Sequence, residues 1–396
     1  MKYYGCYVPN LRFCLFSEPW SCFRLSEVVK NEKRAFAGGP FGSNLKSSDY
    51  REKGIPIIQL GNITDSYLDF SSNLKFASEK KADELISNNA FPNELIVAKM
   101  MPAGKACIST FLYDRYLLGS DAIRICVDQA RFNIHFLCSQ LNAKRVHKWI
   151  TNRTGGSTRA RIGIPILKEA PIYAPTVKEQ NKIGTFIDLL QQRIDTQNKI
   201  IEDIVVYRNS IRERIFKNGS INTKLGMFLE EYTERNKHSY EPVAVGKNGI
   251  RKRSEVFSRE LSQDYSKNKV IRKNTLIIGM GTKQIDIAVD YFDEPYCVSP
   301  AYSTFKIKNI DSFYLDEYLK SINNLLSLRY MITGARQGKS VNKAELLEHP
   351  LLIHHNQTIV AISKLFNCLN DKIIFEKRIR DKYIEQKVFL LNQLFI

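Results

Sequence analysis

The chain repeats itself, and the repeat is helical. Residues Thr154 to Phe216 align with Thr333 to Phe395 without a gap. Thr154-Gly155 meets Thr333-Gly334, Pro171 meets Pro350, Ile183 meets Ile362, Leu190 meets Leu369, Ile194 meets Ile373 and Phe216 meets Phe395. Identity elsewhere is sparse, but the pattern holds. A duplication sets the architecture before any local assignment. It predicts a pseudo-two-fold molecule whose two non-helical blocks do the same job twice.

Within the repeat, alternating steps of four and three residues give Ile183, Ile187, Leu190, Ile194, Gln197, Ile201, Ile204, Arg208, Ile211 and Ile215. The second copy gives Ile362, Phe366, Leu369, Ile373, Glu376, Arg380, Tyr383, Lys387, Leu390 and Leu394. An apolar seam sustained over more than four heptads predicts a coiled coil. The plainer reading, one helix on a large core, leaves Arg208, Arg380 and Lys387 hard to place; in a two-stranded coil they snorkel at the edge and help fix register. A helix of ~34 residues spans about 50 Å. Paired antiparallel, two such helices put one block at each end. Half-sites on one face of B-DNA lie about 34 Å apart per turn, so the coil is long enough to hold two readers roughly a turn apart.

Both blocks have a mixed α/β pattern. In the first, Gly54 to Leu60, Asn93 to Ala98 and Ala122 to Val127 predict strands, and Phe132 to Trp149 predicts a helix. In the second, Asn274 to Gly279 parallels the Asn93 strand, Ala301 to Ile307 the Ala122 strand, and Leu315 to Met331 the helix. Each block ends in a Thr-Gly loop, at Thr154 and Thr333. The expected fold class is α+β: two α/β domains separated by two long helices pairing as an antiparallel coiled coil. Residues 1–153 and 224–332 form the blocks, and 154–223 and 333–396 the helical regions.

A hydrophobic share of 43% lets each block bury an ordinary core, and a net charge of +18 favours a polyanionic partner, most often nucleic acid. No apolar run reaches the ~18 residues of a membrane helix, and Met1 to Tyr7 has no long apolar stretch of a signal peptide. A cytoplasmic protein without a membrane partner is expected. The eight cysteines include no CxxC pair and the six histidines are scattered apart from His354-His355, so no metal site is expected and the thiols read as reduced and mostly buried.

Catalytic signals are weak. Ile278-Gly-Met-Gly-Thr282 lacks a third glycine and a phosphate-loop lysine, and reads as a tight strand-to-loop turn. No Asn/Asp-Pro-Pro-aromatic tetrapeptide of the amino-methyltransferase kind occurs, and no serine or cysteine has the context of a nucleophile motif. Asp286 and Asp290 read as hairpin or surface acids. No catalytic residue is assigned; the chain reads as a binder.

Reading DNA needs cations and N–H groups at phosphates, and Arg, Lys, Asn or Gln at base edges. Four stretches qualify. The Gly38 to Lys46 loop offers Gly39, Ser43, Asn44 and Lys46; the Thr154 loop offers Arg153, Arg159 and Arg161. The Thr333 loop offers Arg336, Gln337 and Lys339, and the run from Lys247 offers Arg251, Lys252 and Arg253 beside Lys247 itself. For each the plain alternative is a solvated connection, but two matching Gly-rich basic loops closing two matching blocks are harder to dismiss. Arg159 and Arg336 lead; Lys99, Arg272, Lys273 and Lys283 are secondary.

These residues resemble the specificity (S) subunit of type I restriction-modification enzymes over nearly the whole chain. Val8-Pro-Asn-Leu-Arg-Phe13, Phe16, Glu18-Pro-Trp20 and Leu25 resemble the family's common start. Gly54-Ile-Pro-Ile-Ile58 with Gly61-Asn-Ile63 resembles a first target-recognition domain. The most specific match is Pro171-Ile-Tyr-Ala-Pro175 followed by Glu179-Gln180-Asn-Lys-Ile183, which resembles the Pro-rich lead-in to the conserved helix. Val245 to Gly249, Val298 to Tyr302 and Leu391 to Phe395 fit as well. The resemblance implies that each recognition domain reads half of a bipartite double-stranded DNA target. It implies that the paired helices are the spacer and the platform for two methyltransferase (M) subunits, and that restriction/motor (R) subunits complete the complex. S-adenosylmethionine, ATP and Mg²⁺ would belong to those partners and none to this chain.

The second copy departs from the first. Thr358-Ile359 stand where Glu179-Gln180 would fall, with Asn356-Gln357 expected to substitute if the loop after Pro350 is two residues shorter, and His354 replaces Pro175. The chain stops soon after Phe395, so no extension closing on the N-terminus is expected. Two rival readings remain open: a coiled-coil assembly protein with non-specific DNA binding, and a stand-alone DNA-modifying enzyme.

Overall fold

The computed structural model describes residues 7–71, 74–100, 102–155, 160–246, 249–256, 264–280, 285–321, 325, 332–333 and 340–395. The chain divides into two compact units, Met1–Asn198 with Arg378–Ile396, and Lys199–Lys377. The duplicated segments form two helices of 39 residues each, Val177–Ile215 and Asn356–Leu394, so each unit holds part of both.

In the first unit the strands are β1 (Ser21–Arg24), β2 (Phe36–Gly38), β3 (Ile55–Ile58), β4 (Lys75–Ala77), β5 (Asn89–Ala90), β6 (Leu95–Ala98), β7 (Ala106–Ile108), β8 (Tyr116–Leu118), β9 (Ala122–Ile125) and β10 (Pro171–Ala174). They form two four-stranded sheets, β2-β9-β6-β7 and β4-β3-β8-β5, and the pair β1-β10. Strand β6 is buried on both faces, as a continuous apolar run predicts. Leu95 and Val97 face the core shared with the helices, while Ile96 and Ala98 face a second core with Ile58 and Leu118.

The second unit repeats one four-stranded sheet and the strand pair of this plan. Its strands are β11 (Ile221–Lys224), β12 (Leu229–Glu231), β13 (Val243–Gly246), β14 (Gly249–Lys252), β15 (Lys269–Ile271), β16 (Thr275–Met280), β17 (Ile285–Val289), β18 (Tyr296–Val298), β19 (Ser303–Ile307), β20 (Ile332–Thr333), β21 (Ser340–Val341) and β22 (Pro350–Ile353). The order β12-β19-β16-β17 matches β2-β9-β6-β7, and β11-β22 matches β1-β10, with Lys224 opposite Pro350 as Arg24 is opposite Pro171. Where the first unit has its second four-stranded sheet, β13-β14 and β15-β18 form separate two-stranded sheets.

Local devices are duplicated too. Asn93 and Asn274 both hold positive φ, 63° and 65°, just before the central strand, a conformation asparagine tolerates through its short polar side chain. Asn133 caps helix Ile134–Asn142 and Asp311 caps helix Ser312–Leu319, each through its side-chain oxygen. Seven residues beyond each cap a side chain satisfies the lead-in strand. Gln140 Nε2 donates to Tyr173 O and its Oε1 accepts from Tyr173 N, while Tyr318 OH accepts from Leu352 N at 2.9 Å.

The long helices pair antiparallel within each unit. In the first, Ile183 and Ile187 share a core with Leu390, Leu394 and Phe395, Gln191 meets Lys387, and Arg193 meets Tyr383. In the second, Ile211, Ile215 and Phe216 share a core with Ile362, Phe366 and Leu369. Among the described residues no helix is long and apolar enough to cross a membrane.

Several expectations are corrected. The Phe132 to Trp149 helix is two, Ile134–Asn142 and Lys144–Thr151, broken because the Asn142 side chain pairs with both backbone groups of Ala106 in β7. Gly279 lies inside β16 rather than in a turn, and a Cβ there would stand 2.1 Å from the Tyr302 ring, so the glycine makes room for an aromatic neighbour. Asp286 and Asp290 do sit in a hairpin but are buried, not surface acids. Cys107, Cys126, Cys138 and Cys297 are buried, Cys14, Cys22 and Cys368 exposed, and all are free; Cys6 lies outside the described residues.

Burial pushes Asp290 up to about 6, with one oxygen accepting from Phe292 N and the other without a partner. Between pH about 4 and about 6 the unfolded chain loses this proton while the native state keeps it. Asp290 therefore contributes stability below pH about 4 that is lost by about pH 6, a change of about 2–3 kcal/mol. Chemical denaturation of wild type and Asp290→Asn across pH 4 to 7 should show that extra slope in the wild type only.

Candidate nucleic-acid interface

The Gly38 to Lys46 loop is anchored at its root. Gly39 N donates to Ala122 O at 2.9 Å, and a Cβ on Gly39 would fall 1.7 Å from Gly119 O, so only glycine lets the two segments cross. The tip is a turn in which Asn44 N donates to Phe41 O at 2.8 Å. Ser43, Asn44 and Phe41 are exposed, and Lys46 N is held by Asp49 Oδ2 at 2.8 Å. A cleft of about 140 Å³ opens beside the loop, lined by Gly42, Tyr50, Gln59, Ser120 and Asp121 among others.

Arg161 belongs to the same neighbourhood. Its guanidinium pairs with Asp121 at 3.2 Å, and Ile162 N donates to Lys99 O. The structure therefore brings Gly39 and Arg161 together at residues 119–122, with Ser43, Asn44 and Lys46 further along the same loop. Arg153 stands apart: its guanidinium lies 4.1 Å over the Trp149 ring and donates to Trp149 O. Arg159 lies outside the described residues.

In the second unit Arg251 and Lys252 lie on β14 of the β13-β14 hairpin, with Arg251 exposed. Lys252 is 3.6 Å from Glu241 and lies over the Tyr296 ring; Arg253 lies over the Tyr265 ring. Lys247, Arg336, Gln337 and Lys339 lie outside the described residues, as does Lys283. Arg272 and Lys273 are engaged by Glu234 and Asp293. Among the described residues no group of three or more His, Cys, Asp or Glu side chains could hold a metal ion.

Behind these surfaces, buried charges fasten each unit to its helices. In the first unit Glu179, 1% exposed, accepts both Nε (2.8 Å) and an Nη (2.7 Å) of Arg12, and Trp20 Nε1 at 3.3 Å. Gln180 accepts from Asn133 N and donates to the Arg131 and Pro175 carbonyls. Lys387 is buried and donates to Gln191 at 2.6 Å, Asp65 at 3.2 Å and Ser66 at 3.4 Å. Asp188 holds Tyr67, Gln192 and His135. In the second unit Glu317 accepts from both Arg208 and Arg212. Lys387 and Arg208 thus do not snorkel as the seam pattern suggested; each runs under its block, where a charge must be paired. Arg380 stays half out, on Asp381.

The two helix starts differ in chemistry. The long helices begin at matched positions, so Asn356-Gln357 do not move in to replace Glu179-Gln180; both are exposed, while Ile359 is buried in the core. The space a Cβ on Gly184 would share with Asn133 Oδ1 is used in the second copy by Ser363, whose Oγ donates to Asp311. His354, in place of Pro175, meets Tyr314 OH through Nδ1 at 2.8 Å.

Residues 17–205 match the family described as the type I restriction modification DNA specificity domain. Among solved structures, the chain resembles a type I restriction-modification system S subunit from M. genitalium at 14% identity, covering 98% of this chain and 99% of that one, with a TM-score of 0.58. It also resembles a chain from a study of complex assembly and conformational transition of the type I R-M system, at 12% identity, covering 95% and 97%, with a TM-score of 0.52. The family match covers the first unit's sheets and the first long helix as far as residue 205, and the second unit repeats the order of β2-β9-β6-β7 and of β1-β10. Residues 17–205 belong to the type I DNA specificity-domain family, and the chain has the fold of the solved S subunit. Among curated proteins, none matches it in sequence.

The matched domain is that of the DNA-recognition component of a restriction-modification complex, not of its catalyst, and neither rival reading finds support. Arg12, Trp20 and Glu179, three of the residues that carry the sequence resemblance, prove to be one contact, which their separation in sequence hid. Glu179-Gln180 is internal, so its absence from the second copy removes nothing from an exposed surface. Glu317 carried no sequence signal, since a carboxylate in an amphipathic helix reads as solvated. Lys387 did carry one, as a cation at a seam position.

Proposed function

We propose that each unit reads one half of a bipartite double-stranded DNA sequence. The paired helices set the spacing and seat two methyltransferase subunits, and restriction/motor subunits join to form the cutting complex. S-adenosylmethionine, ATP and Mg²⁺ act in those partners, in the cytoplasm. One observation carries this reading most: the same sheet, the same positive-φ asparagine and the same capped helix occur twice, each fastened to the long helices by its own buried charges. Two copies of one reader suit a split target, and the +18 charge suits a phosphate backbone.

Binding to duplex DNA at rising salt tests it. Affinity should fall steeply, by roughly 10³- to 10⁵-fold from 50 to 200 mM salt for six to ten phosphate contacts, while preference for one sequence persists. A steep fall with no preference would leave only a non-specific basic protein. Within that assay Arg161→Ala should weaken specific binding by about 1–3 kcal/mol and relax one base of one half-site. A uniform loss on every sequence would make Arg161 a phosphate contact instead.

A further inference from the structure

We propose that Phe41 is a wedge that enters a base step of the duplex and unstacks it, so that the first unit reads the deformability of that step as well as its base edges. The inference rests on the DNA-reading function above.

Phe41 is 83% exposed, although phenylalanine gains by burial. Its loop is not slack. The Asn44-to-Phe41 hydrogen bond closes the tip, and Gly39 is locked against Gly119 at the root. Asn88 Nδ2 holds Gly38 O at 2.7 Å, and Lys46 N is held by Asp49. A stiff turn thus presents an aromatic ring to solvent between Pro40 and Gly42. Its neighbours are of the opposite character: Ser43, Asn44 and Lys46 on the same loop, and a cleft with Tyr50, Gln59, Ser120 and Asp121 in its lining. Donors and a cation on the same loop as one exposed apolar ring, carried on a hydrogen-bonded turn, suit a partner that has polar edges, phosphates and apolar faces in one place. Stacked bases have all three. Inserted side chains of this kind part the stack and kink the duplex, at a cost that depends on the step and so discriminates among sequences.

The test is selection from a random duplex pool by the full-length chain, alone and with the methyltransferase subunit of its system, using wild type, Phe41→Ala and Phe41→Trp. The selected duplex is then remade with 2-aminopurine at each step of the half-site. Wild type and Phe41→Trp should select one motif and raise 2-aminopurine fluorescence at one step. Phe41→Ala, with an unchanged melting midpoint, should bind that duplex roughly 10- to 100-fold more weakly, lose preference at that step and give no fluorescence rise, with the other half-site and the salt slope unchanged. If wild type selects a motif but raises no fluorescence, or if Phe41→Ala selects it within twofold, the wedge is overturned and DNA reading stands. If wild type selects no motif, both are overturned.

Discussion

Replacing Arg12 by alanine should destabilise the first unit by about 3–5 kcal/mol, because it leaves a carboxylate buried without its partner. Glu179 is 1% exposed, the Arg12 side chain 11%, and the two meet through two hydrogen bonds. The carboxylate's other donor, Trp20 Nε1 at 3.3 Å, cannot neutralise a charge. The guanidinium's proton is in turn held more tightly than usual, chiefly by its hydrogen bond to Glu179. Glu179→Gln in the Arg12→Ala background should recover much of the loss, since the amide oxygen still accepts from Trp20. Both tryptophans, Trp20 and Trp149, lie in the first unit, so tryptophan fluorescence during chemical denaturation reports that unit directly. A shift below about 1 kcal/mol, the size expected of a surface pair, would mean that the contact is solvated.

Glu317→Ala should be as damaging in the second unit, again by about 3–5 kcal/mol, by stranding two arginines at once. Glu317 is 1% exposed, and Arg208 and Arg212 side chains are 17% and 9% exposed. Burial already pushes the Arg208 pKa down, and Glu317 is what offsets it. Far-UV circular dichroism should therefore shift further than the tryptophan signal. Replacing all three residues by apolar ones of similar size should restore stability, because no charge is then left buried and unpaired. If Glu317→Ala is neutral, or the triple replacement is worse than the single one, the pairing is not what fastens the block to its helices.

Sequence reasoning reached the helices and the duplication because those are periodic. The seam from Ile183 and its copy from Ile362 repeat every turn, and their burial follows. Strands such as Asn93 to Ala98 and Asn274 to Gly279 were legible because a turn asparagine precedes an apolar run in both. What escaped was set by tertiary position. Nothing local says that Asn142 prefers the β7 backbone to its own helix, or that Lys387 ends beside Asp65 rather than in water. On the interface, residue type located the Gly38 loop and Arg161, but only the fold shows that both converge on residues 119–122. Arg153, chosen for its charge, is folded back over Trp149.

The most direct measurement of the central claim is a map of modified bases in host DNA, with this chain co-expressed beside the methyltransferase of its system and compared with the methyltransferase alone. A new bipartite motif, two short specific halves separated by unspecified bases and present only with the chain, is the predicted result. Unchanged modification, with both proteins folded and co-purifying, would contradict DNA recognition as the chain's role.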